Sequence, residues 1–476
     1  MPVPLLRSTP EAQGISSHDL ALFVQEATER LDALHSFMLL RHGHVVAEGW
    51  WSPYAASEPH MLFSLSKSFT ATAVGLAQEE GRLQVSDRLL SFFPELAPAQ
   101  PDPGLAAMTL QDLLTMRSGH AEDTLGRLFE GQDASWTRTF LSLPVPYPPG
   151  THFVYNTGAT YMLSAVVQRV TGQRLSDYLG PRLFAPLGIE NPIWDRSPEG
   201  VDLGGFGLSV TTEDIARFGQ LYLQRGQWQG RQLISAAWVG EATTGHADNS
   251  ANTNVDWQQG YGYQFWRCRH NAYRGDGAFG QYMIVFPEQD AVLAITAGLS
   301  DMAAELDLVW ERILPAMHNG PLPADSAATE RLRARLAGLT LPTPQGRTAA
   351  AATATVAGKR YLLASNDQHV ESVAFEPGAA HDTLVIGTPR GEQRLVCGHG
   401  AWVRGTISLD GGAVVPVAAS GAWTDDNTYV ASVCAYQTPF HSRLTLAFAA
   451  DRLLWDREEN VSFGPRKYPQ LTGLVQ

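Results

Sequence analysis

The sequence predicts an α+β domain followed by a small antiparallel β-barrel. Two observations predict the first domain: β-rich stretches stand near its beginning and its end, and helical patterns fill the middle, so one antiparallel sheet is assembled from both ends. A third observation predicts the barrel, because short strand patterns follow one another at the turn spacing of small barrels. We therefore expect a domain over residues 1–318, a Pro- and Ala-rich linker over 319–355 and a barrel over 356–476.

Composition narrows the classes of function. The chain of 476 residues has a formal net charge of -14, with 44% hydrophobic and 17% charged residues. This acidic balance leaves no basic face for phosphates, so we expect no nucleic-acid partner. No apolar run approaches the ~18–20 residues that span a bilayer, and the N-terminal stretch lacks the pattern of a secretory signal. We therefore expect a cytoplasmic protein without a membrane partner.

The first predicted elements are a helix and a hairpin. Residues 18–32 have the apolar spacing of an amphipathic helix, and "FMLLRHGHVVAEGWW" holds two β-rich runs around His42 and Gly43. His42 and His44 could instead form a metal pair, but no acidic or cysteine partners stand at ligand spacing near them, so the plain hairpin is favoured and no metal is expected. The cysteines lie outside any C-x-x-C pattern, which predicts buried thiols: Cys268, Cys397 and Cys434.

The stretch "FSLSKSFTATAVGLAQEEG" predicts a helix that begins at or near Ser64 and stops at Gly81. Its apolar residues recur at helical spacing, and glycine is the usual residue just past a helix C-terminus. Four further stretches have helical patterns, and two β-rich runs around a Pro-Glu-Gln-Asp turn separate the last two of them. The four are "TLQDLLTMRSG", "GATYMLSAVVQRVTG", "TTEDIARFGQLYLQRG" and "SDMAAELDLVWERILPAM".

Lysine is rare in this chain, which holds 31 Arg and only three Lys, yet one lysine follows Ser64 by three residues. Residues three apart share a helix face, so Ser64 and Lys67 bring a hydroxyl and an amine together. The N–H groups and the dipole at a helix start favour a nucleophilic hydroxyl, and a desolvated lysine can lose its proton where arginine cannot. The alternative is a capping serine beside a solvent-facing lysine, and Ser-x-x-Lys alone leaves both interpretations open.

The predicted linker contains one short charged helical stretch, "ATERLRARLAG". Beyond it, short strand patterns are broken by Gly, Asp and Pro turns. In "SRLTLAF", apolar residues alternate with Arg443 and Thr445, which predicts a strand with one buried face. These patterns are typical of a compact antiparallel barrel.

Five blocks of the sequence stand in the order found in one enzyme family. They are "FSLSKSFT", "MTLQDLLTMRSGH", "YPPGTHFVYNTGATYMLSAVVQRVTG", "GGFGLSVTTEDIARFGQLYLQRGQWQGRQLISAAWV" and "YRGDGAFGQYMIVFP". Over about residues 10–318 the chain resembles the serine β-lactamase-like hydrolases. That family includes class C β-lactamases, penicillin-binding DD-peptidases, D-aminopeptidases, family VIII carboxylesterases and aminohexanoate-oligomer hydrolases. The resemblance implies a β-lactamase/DD-peptidase-like fold, with a helical subdomain beside the sheet, and the barrel resembles the lipocalin-like domains appended to some members.

The resemblance also implies catalytic roles. Ser64 resembles the acylated nucleophile, Lys67 its activating partner and Tyr155 the tyrosine of the family's Tyr-x-Asn motif. A phenol near a protonated lysine has its anion favoured, so Tyr155 is expected to exchange a proton with Ser64 and then with the leaving group. The N–H groups of Ser64 and Ala278 are implied as the oxyanion hole.

Two positions depart from the family's pattern. The Asn of Tyr-x-Asn is Thr157 here, with the neighbouring Asn156 as a substitute, and the Lys of the Lys-Thr-Gly strand is Gly275. In penicillin-recognising members that lysine binds the carboxylate of the substrate, so its absence argues against efficient β-lactam turnover. The expected substrate-binding residues are Asn156, Thr157, Gly275, Asp276 and Gly277.

The resulting hypothesis is a serine hydrolase that cleaves a small ester or amide through an acyl-serine intermediate, with esterase activity the easiest case and no metal or organic cofactor. A β-lactamase or D-amino-acid peptidase is the closest rival enzyme. A penicillin-binding type of protein that binds ligand without turnover is the rival from another class. The subunit count stays open, with a homo-oligomer as one alternative, and so does the role of the barrel.

Overall fold

The computed structural model describes residues 4–131, 134–408, 412–449 and 451–476. Its first domain is built around a seven-stranded sheet with the order β1-β3-β2-β12-β11-β10-β9, in which only β1 and β3 run parallel among the described strands. The strands of this domain are β1 (Leu6–Arg7), β2 (Leu34–Arg41), β3 (His44–Trp50), β4 (His60–Met61), β5 (Ile193–Trp194), β6 (Leu208–Val210), β7 (Gln227–Trp228), β8 (Arg231–Gln232), β9 (Trp266–Arg267), β10 (Tyr273–Gly277), β11 (Gln281–Phe286) and β12 (Ala291–Ala297). Strands from both ends of the domain thus share one sheet, which confirms the predicted fold class.

Helices cover both faces of this sheet. All eight residues of β2 are buried, and alternate residues join different cores: Phe37 and Leu39 pack on the side of α1, whereas Met38 and Leu40 pack on the side of α2 and α10. The α-helices are α1 (Ser17–Arg30), α2 (Ser66–Glu79), α3 (Pro103–Ala107), α4 (Leu110–Leu114), α5 (Leu125–Glu130), α6 (Trp136–Ser142), α7 (Thr157–Thr171), α8 (Leu175–Leu179), α9 (Ala185–Leu187), α10 (Thr212–Leu223), α11 (Ala236–Thr243), α12 (Met302–Leu308), α13 (Ser326–Ala337) and α14 (Thr353–Val356). A sheet covered on both sides explains why its strands read as continuous apolar runs.

The predicted turns and helices are present, with two changes at helix ends. The hairpin between β2 and β3 turns at His42 and Gly43, which have φ angles of 48° and 72°. The helix predicted over "TLQDLLTMRSG" ends early, at the C-terminus of α4, because Met116 adopts a left-handed φ of 58°. The last pattern forms α12 and then continues as a π-helical segment over Val309–Ile313.

Ten described strands follow residue 356, and nine of them close a barrel in the order β16-β15-β14-β13-β22-β21-β20-β19-β18. Their pairings are antiparallel except at the closure, where Gly398 of β16 lies parallel to Ser420 of β18. Trp423 and Trp455 are fully buried inside the barrel. The ten strands are β13 (Arg360–Leu363), β14 (Ser372–Glu376), β15 (His381–Thr388), β16 (Gly391–His399), β17 (Val403–Ile407), β18 (Val415–Trp423), β19 (Thr428–Cys434), β20 (His441–Ala449), β21 (Arg452–Glu459) and β22 (Leu471–Val475).

Much of the stretch predicted as a linker packs on the first domain. The charged helical stretch forms α13, which lies against α1, and Leu332 of α13 is buried in the same core as Phe23. Leu339 and Leu341, further along the chain, are buried there as well. The domain boundaries stay a prediction, and the chain up to residue 341 contributes to the core of the first domain.

The barrel is docked on the first domain beside the start of α2. Cys434 and Tyr436 of the barrel share a core with Tyr54, whose hydroxyl donates to the carbonyl of Thr438 at 2.9 Å. Arg404 forms an ion pair with Glu58 at 2.6 Å. A continuous apolar core with polar contacts at its border holds the two parts together.

Three features bear on metals, thiols and membranes. Cys268, Cys397 and Cys434 are buried free thiols. Within the described ranges, no three side chains of His, Cys, Asp or Glu are grouped so that they could hold a metal ion. No described helix combines the length and the apolar character needed to cross a bilayer.

The close packing of α2 generates a stability prediction. A Cβ at Gly75 would lie 2.4 Å from the ring of Trp238, so Gly75→Ala should lower the free energy of unfolding by about 1–3 kcal/mol despite the better helix propensity of alanine. Gly240 in α11 has open space around its Cα, so Gly240→Ala should raise that free energy by about 0.5–1 kcal/mol. Urea denaturation followed by circular dichroism measures both, and stabilisation by Gly75→Ala would contradict the packing.

Candidate active site

The predicted nucleophile lies just before α2 rather than inside it. Ser64 is the middle residue of a 3-10 turn, Phe63–Leu65, and the α-helix begins at Ser66. Phe63 has a φ of 47°, an uncommon conformation for a residue with a side chain. The turn places the Ser64 Oγ 3.0 Å from the Nζ of Lys67, which stands in the first turn of α2.

Lys67 is almost completely buried, with 1% of its surface exposed. Its Nζ contacts the Ser64 Oγ and also donates to the carbonyl of Gly205 at 2.7 Å and to the hydroxyl of Thr157 at 3.3 Å. Burial lowers the pKa of Lys67 to about 7, although the charges of Asp123 and Asp276 act in the opposite direction. The alternative interpretation, a capping serine beside a solvent-facing lysine, is therefore wrong for Lys67.

Tyr155 lies close to Lys67 and borders the same pocket as Ser64. The Lys67 Nζ is 4.9 Å from the centre of its ring, and the ring stacks on Trp266 with 5.4 Å between the ring centres. Burial raises the pKa of Tyr155 above its usual value, and hydrogen bonding with Ser64 offsets only part of this increase. The expectation that the phenolate is favoured at this position is therefore reversed, because desolvation and the charges of Asp276 and Asp123 raise the pKa, and the hydrogen bond with Ser64 and the charge of Arg274 do not offset them.

The two residues after Tyr155 have different positions. Thr157 lines the pocket beside Ser64 and accepts a hydrogen bond from Lys67, so it occupies the expected site. Asn156 is fully buried, and its side chain caps α7 by accepting from Ala159 N at 3.3 Å while it also accepts from Thr124 Oγ1 at 2.8 Å. Asn156 therefore does not substitute for the motif's asparagine, since its amide is committed to holding the loop before α5.

Strand β10 turns its two glycines toward the serine turn. A Cβ at Gly275 would lie 2.1 Å from the Leu65 side chain, and a Cβ at Gly277 would lie 2.1 Å from the carbonyl of Leu62. These positions permit close packing and present no side chain to a substrate, so the substrate binding predicted for Gly275 and Gly277 is left to their backbone atoms and stays a prediction. Because Gly275 faces packed atoms, a lysine introduced there would disrupt the turn.

The alternate residues of β10 form a buried ion pair. Arg274 is completely buried and its Nε donates to Asp276 at 2.9 Å. The guanidinium also donates to the carbonyl of Asp256 at 2.9 Å and lies 4.8 Å from the ring of Trp257. Asp276 borders the pocket, as predicted for this position, but Arg274 lies behind it and is not presented to a ligand.

Ala278 follows β10 and lines the same pocket as Ser64. Its carbonyl accepts from the Gln281 side chain at 3.0 Å, and the next two residues, Phe279 and Gly280, have φ angles of 67° and 91°. This tight turn fixes the orientation of the Ala278 peptide. The residues predicted to supply the two oxyanion donors, Ser64 and Ala278, thus border one cavity.

The cavity at Ser64 has a volume of about 810 Å³, and seven of its fifteen lining residues are aromatic. Its charged groups are acidic: Asp123 is exposed and accepts the N–H of Thr157 at 2.8 Å, and Asp276 is paired with Arg274. The lining residues are Phe63, Ser64, Asp123, Leu125, Gly126, Phe129, Tyr155, Thr157, Phe206, Trp257, Trp266, Asp276, Ala278, Met302 and Phe463. Such a pocket favours apolar, uncharged groups over anions.

Several of these residues were not predicted from the sequence. Asp123 and Phe206 lie on loops, and Gly205 contributes only its backbone carbonyl to the site. Trp266 and Phe463 reach the pocket from distant parts of the chain. Gly205 and Phe206 stand at the start of the fourth family block, but no role was expected for them. No local spacing marks Asp123 or Phe463, whereas Ser64, Lys67, Tyr155 and Thr157 stand in recognisable blocks.

Comparisons with known proteins bear on the family of this chain. A family model described as Beta-lactamase matches residues 29–317. A 6-aminohexanoate-dimer hydrolase of Paenarthrobacter ureafaciens is 27% identical over 314 residues, which cover 60% of this chain and 78% of the relative. A lovastatin esterase of Penicillium rubens is 29% identical over 154 residues, which cover 27% of this chain and 37% of that protein.

A solved structure extends the similarity into the barrel. The octameric penicillin-binding protein homologue from Pyrococcus abyssi has a TM-score of 0.50 and 15% identity, and the match covers 95% of this chain and 99% of that one. At this identity the likeness concerns the fold alone. The family model covers more than half of the chain, and the chain therefore belongs to the beta-lactamase family of serine hydrolases.

Proposed function

We propose that this protein hydrolyses small esters with apolar groups through an acyl intermediate on Ser64. The observation that carries the proposal is the buried contact of 3.0 Å between the Ser64 Oγ and the Lys67 Nζ, with the pKa of Lys67 lowered to about 7. At neutral pH a large fraction of this amine has no proton, so it can act as a general base. Ester cleavage is the easiest reaction for such a site because an alkoxide leaves more readily than an amine.

The contacts of Lys67 assign a direction to the first proton transfer. A neutral amine has two N–H groups and one lone pair. The Gly205 carbonyl and the Thr157 hydroxyl accept hydrogen bonds from the two N–H groups of Lys67. The lone pair then faces the Ser64 hydroxyl. Lys67 takes the hydroxyl proton while the Oγ bonds to the carbonyl carbon, and the N–H groups of Ser64 and Ala278 stabilise the resulting oxyanion.

Tyr155 is suited to protonate the leaving group. Because its pKa is raised, the phenol holds its proton at neutral pH and can donate it to the alkoxide oxygen when the carbon–oxygen bond breaks. The phenolate regains a proton from the Lys67 ammonium, so the net transfer runs from Ser64 to the alcohol product. Attack by water on the acyl-enzyme, with the same groups in reverse roles, returns the free serine.

Amide hydrolysis is the second candidate. Its support is the similarity to the 6-aminohexanoate-dimer hydrolase, together with a neutral Tyr155 that could protonate an amine leaving group.

Cytoplasmic location and self-association stay predictions from the sequence. Similarity to an octameric homologue supports self-association.

The assignment of the nucleophile is tested by covalent labelling. A fluorophosphonate should modify Ser64 stoichiometrically, and Ser64→Ala should lose the label and about 10⁴-fold or more of its ester turnover. Ser68, which is fully buried one helical turn later, provides the matched control because Ser68→Ala should keep the label. Peptide mass mapping locates the adduct, and a label elsewhere with turnover intact would rule out Ser64.

The role of Lys67 is tested by the pH dependence of kcat/KM. Only the neutral amine acts as a base, so kcat/KM for p-nitrophenyl butyrate should rise with pH, with a midpoint at about 7, and level off above it. Lys67→Arg and Lys67→Ala should both lose roughly 10²- to 10⁴-fold and lose this inflection. An arginine variant within about tenfold of the parent, or clearly better than the alanine variant, would contradict the proton-transfer role.

The acidic, aromatic pocket predicts discrimination against anions. The protein should hydrolyse p-nitrophenyl butyrate at least about tenfold more efficiently than nitrocefin or p-nitrophenyl hemisuccinate, because the described lining of the pocket holds two carboxylates and no lysine or arginine. Asp123→Asn should reduce the difference in kcat/KM between p-nitrophenyl butyrate and p-nitrophenyl hemisuccinate, because it removes one carboxylate from the pocket. The asparagine keeps an oxygen that can accept the hydrogen bond from the Thr157 N–H. Steady-state kinetics on one enzyme batch decides it, and nitrocefin turnover above that of every ester would contradict the prediction.

A further inference from the structure

The barrel reaches the catalytic pocket through two phenylalanines. Phe440 and Phe463 of the barrel contact Phe63 and Phe279 of the first domain, and we refer to these four residues as the phenylalanine cluster. Phe463 lies 5.5 Å from Phe63 and 4.7 Å from Phe279 between ring centres. Phe440 lies 6.1 Å from Phe63 and 5.8 Å from Phe279. These distances and the edge-on or tilted orientations are those of attractive aromatic pairs.

The cluster adjoins the two residues proposed to form the oxyanion hole. Phe63 directly precedes Ser64, and Phe279 directly follows Ala278. Both phenylalanines have positive φ angles, 47° and 67°, which residues with side chains adopt only when their surroundings hold them. The barrel side chains therefore pack against the two backbone turns that border Ser64.

The loops that carry Phe440 and Phe463 are anchored on the first domain. The N–H of Met61 donates to the carbonyl of Gln437 at 2.9 Å, only three residues before Ser64. The side chain of Asn460 donates to the carbonyl of Gly298 at 3.0 Å and to that of Pro439 at 2.9 Å. Both loops are thus fixed to the first domain and to each other, so the position of the Phe463 ring is set by the docking of the barrel.

The exposure of Phe463 distinguishes it from a purely structural residue. It is 76% exposed, whereas Phe279 is 9% exposed, yet Phe463 lines the pocket that contains Ser64. One edge of the ring is held by the cluster, and its remaining surface is open to the cavity or to water. A large aromatic surface left open at the rim of a catalytic pocket is suited to contact an apolar ligand.

We propose that Phe463 is a specificity-determining residue of this enzyme: it forms the outer apolar wall on which the substrate's acyl chain lies, and the barrel holds it there. This inference rests on the proposed ester hydrolysis at Ser64. Phe463 acts on binding of the chain and takes no part in the chemistry, so its contribution grows with chain length. The shortest esters do not reach it.

The experiment compares the intact parent chain with Phe463→Ala on p-nitrophenyl acetate, butyrate, hexanoate and octanoate. In the parent, kcat/KM should rise by up to about fourfold for each methylene that becomes buried against the wall. In Phe463→Ala this rise should flatten, so that octanoate loses about tenfold or more through KM while acetate stays within about threefold. Phe463→Leu, which keeps an apolar wall, should recover part of the slope. Leu474→Ala is the matched control, because Leu474 is an apolar barrel residue with 54% exposure away from the pocket and should leave the profile unchanged.

A chain-length profile identical in the parent and Phe463→Ala would overturn the proposal, as would an equal loss on all four esters. Calorimetric binding of non-cleavable ketone analogues of the same chain lengths separates this outcome from a failure of the proposed reaction. If the parent cleaves no ester, the proposed function fails. In that case ketone affinities that rise with chain length in the parent and not in Phe463→Ala would still support the wall, and equal affinities in both would reject it.

Discussion

The burial of one ammonium group is the constraint on which the rest of the site depends. Lys67 is held among the Ser64 hydroxyl, the Thr157 hydroxyl and the Gly205 carbonyl, three groups from separate segments of the first domain. Loss of hydration lowers its pKa to about 7, so the amine exists in both protonation states near neutral pH. An arginine would keep its charge at the same place, so the proton transfer proposed for this position requires a lysine.

The two glycines of β10 follow from the same arrangement. The serine turn can approach the strand only because Gly275 and Gly277 have no side chains in the space that Leu65 and the Leu62 carbonyl occupy. Of the alternate residues, Arg274 lies behind the pocket and forms an ion pair with Asp276, which borders it. Ala278 follows this strand and lines the cavity, and the strand adds no lysine or arginine to the lining. The charged side chains that line the described pocket are therefore the carboxylates of Asp123 and Asp276.

The barrel and the first domain depend on each other near the serine turn. The apolar core continues from Tyr54 into Cys434 and Tyr436, and the phenylalanine cluster continues it to the rim of the pocket. A backbone hydrogen bond from Met61 to Gln437 joins the barrel to the strand that leads into the serine turn. The barrel therefore packs directly against the segments next to the candidate catalytic residues.

The sequence by itself determined the fold class and the family and predicted four side chains of the candidate site, because periodicity and ordered blocks are local properties of the chain. Ser64, Lys67, Tyr155 and Thr157 stand in such blocks, and the structure brings them together. The tertiary structure alone decided the direction of the tyrosine's pKa, the withdrawal of Asn156 into a helix cap and the packing role of Gly275. It also decided that Asp123 and Phe463 border the cavity at Ser64 and that the Gly205 carbonyl accepts a hydrogen bond from Lys67. These features depend on desolvation and on contacts between residues that are far apart in the chain. The spacing of residues in a single sequence does not indicate which distant atoms will exclude water from a given group.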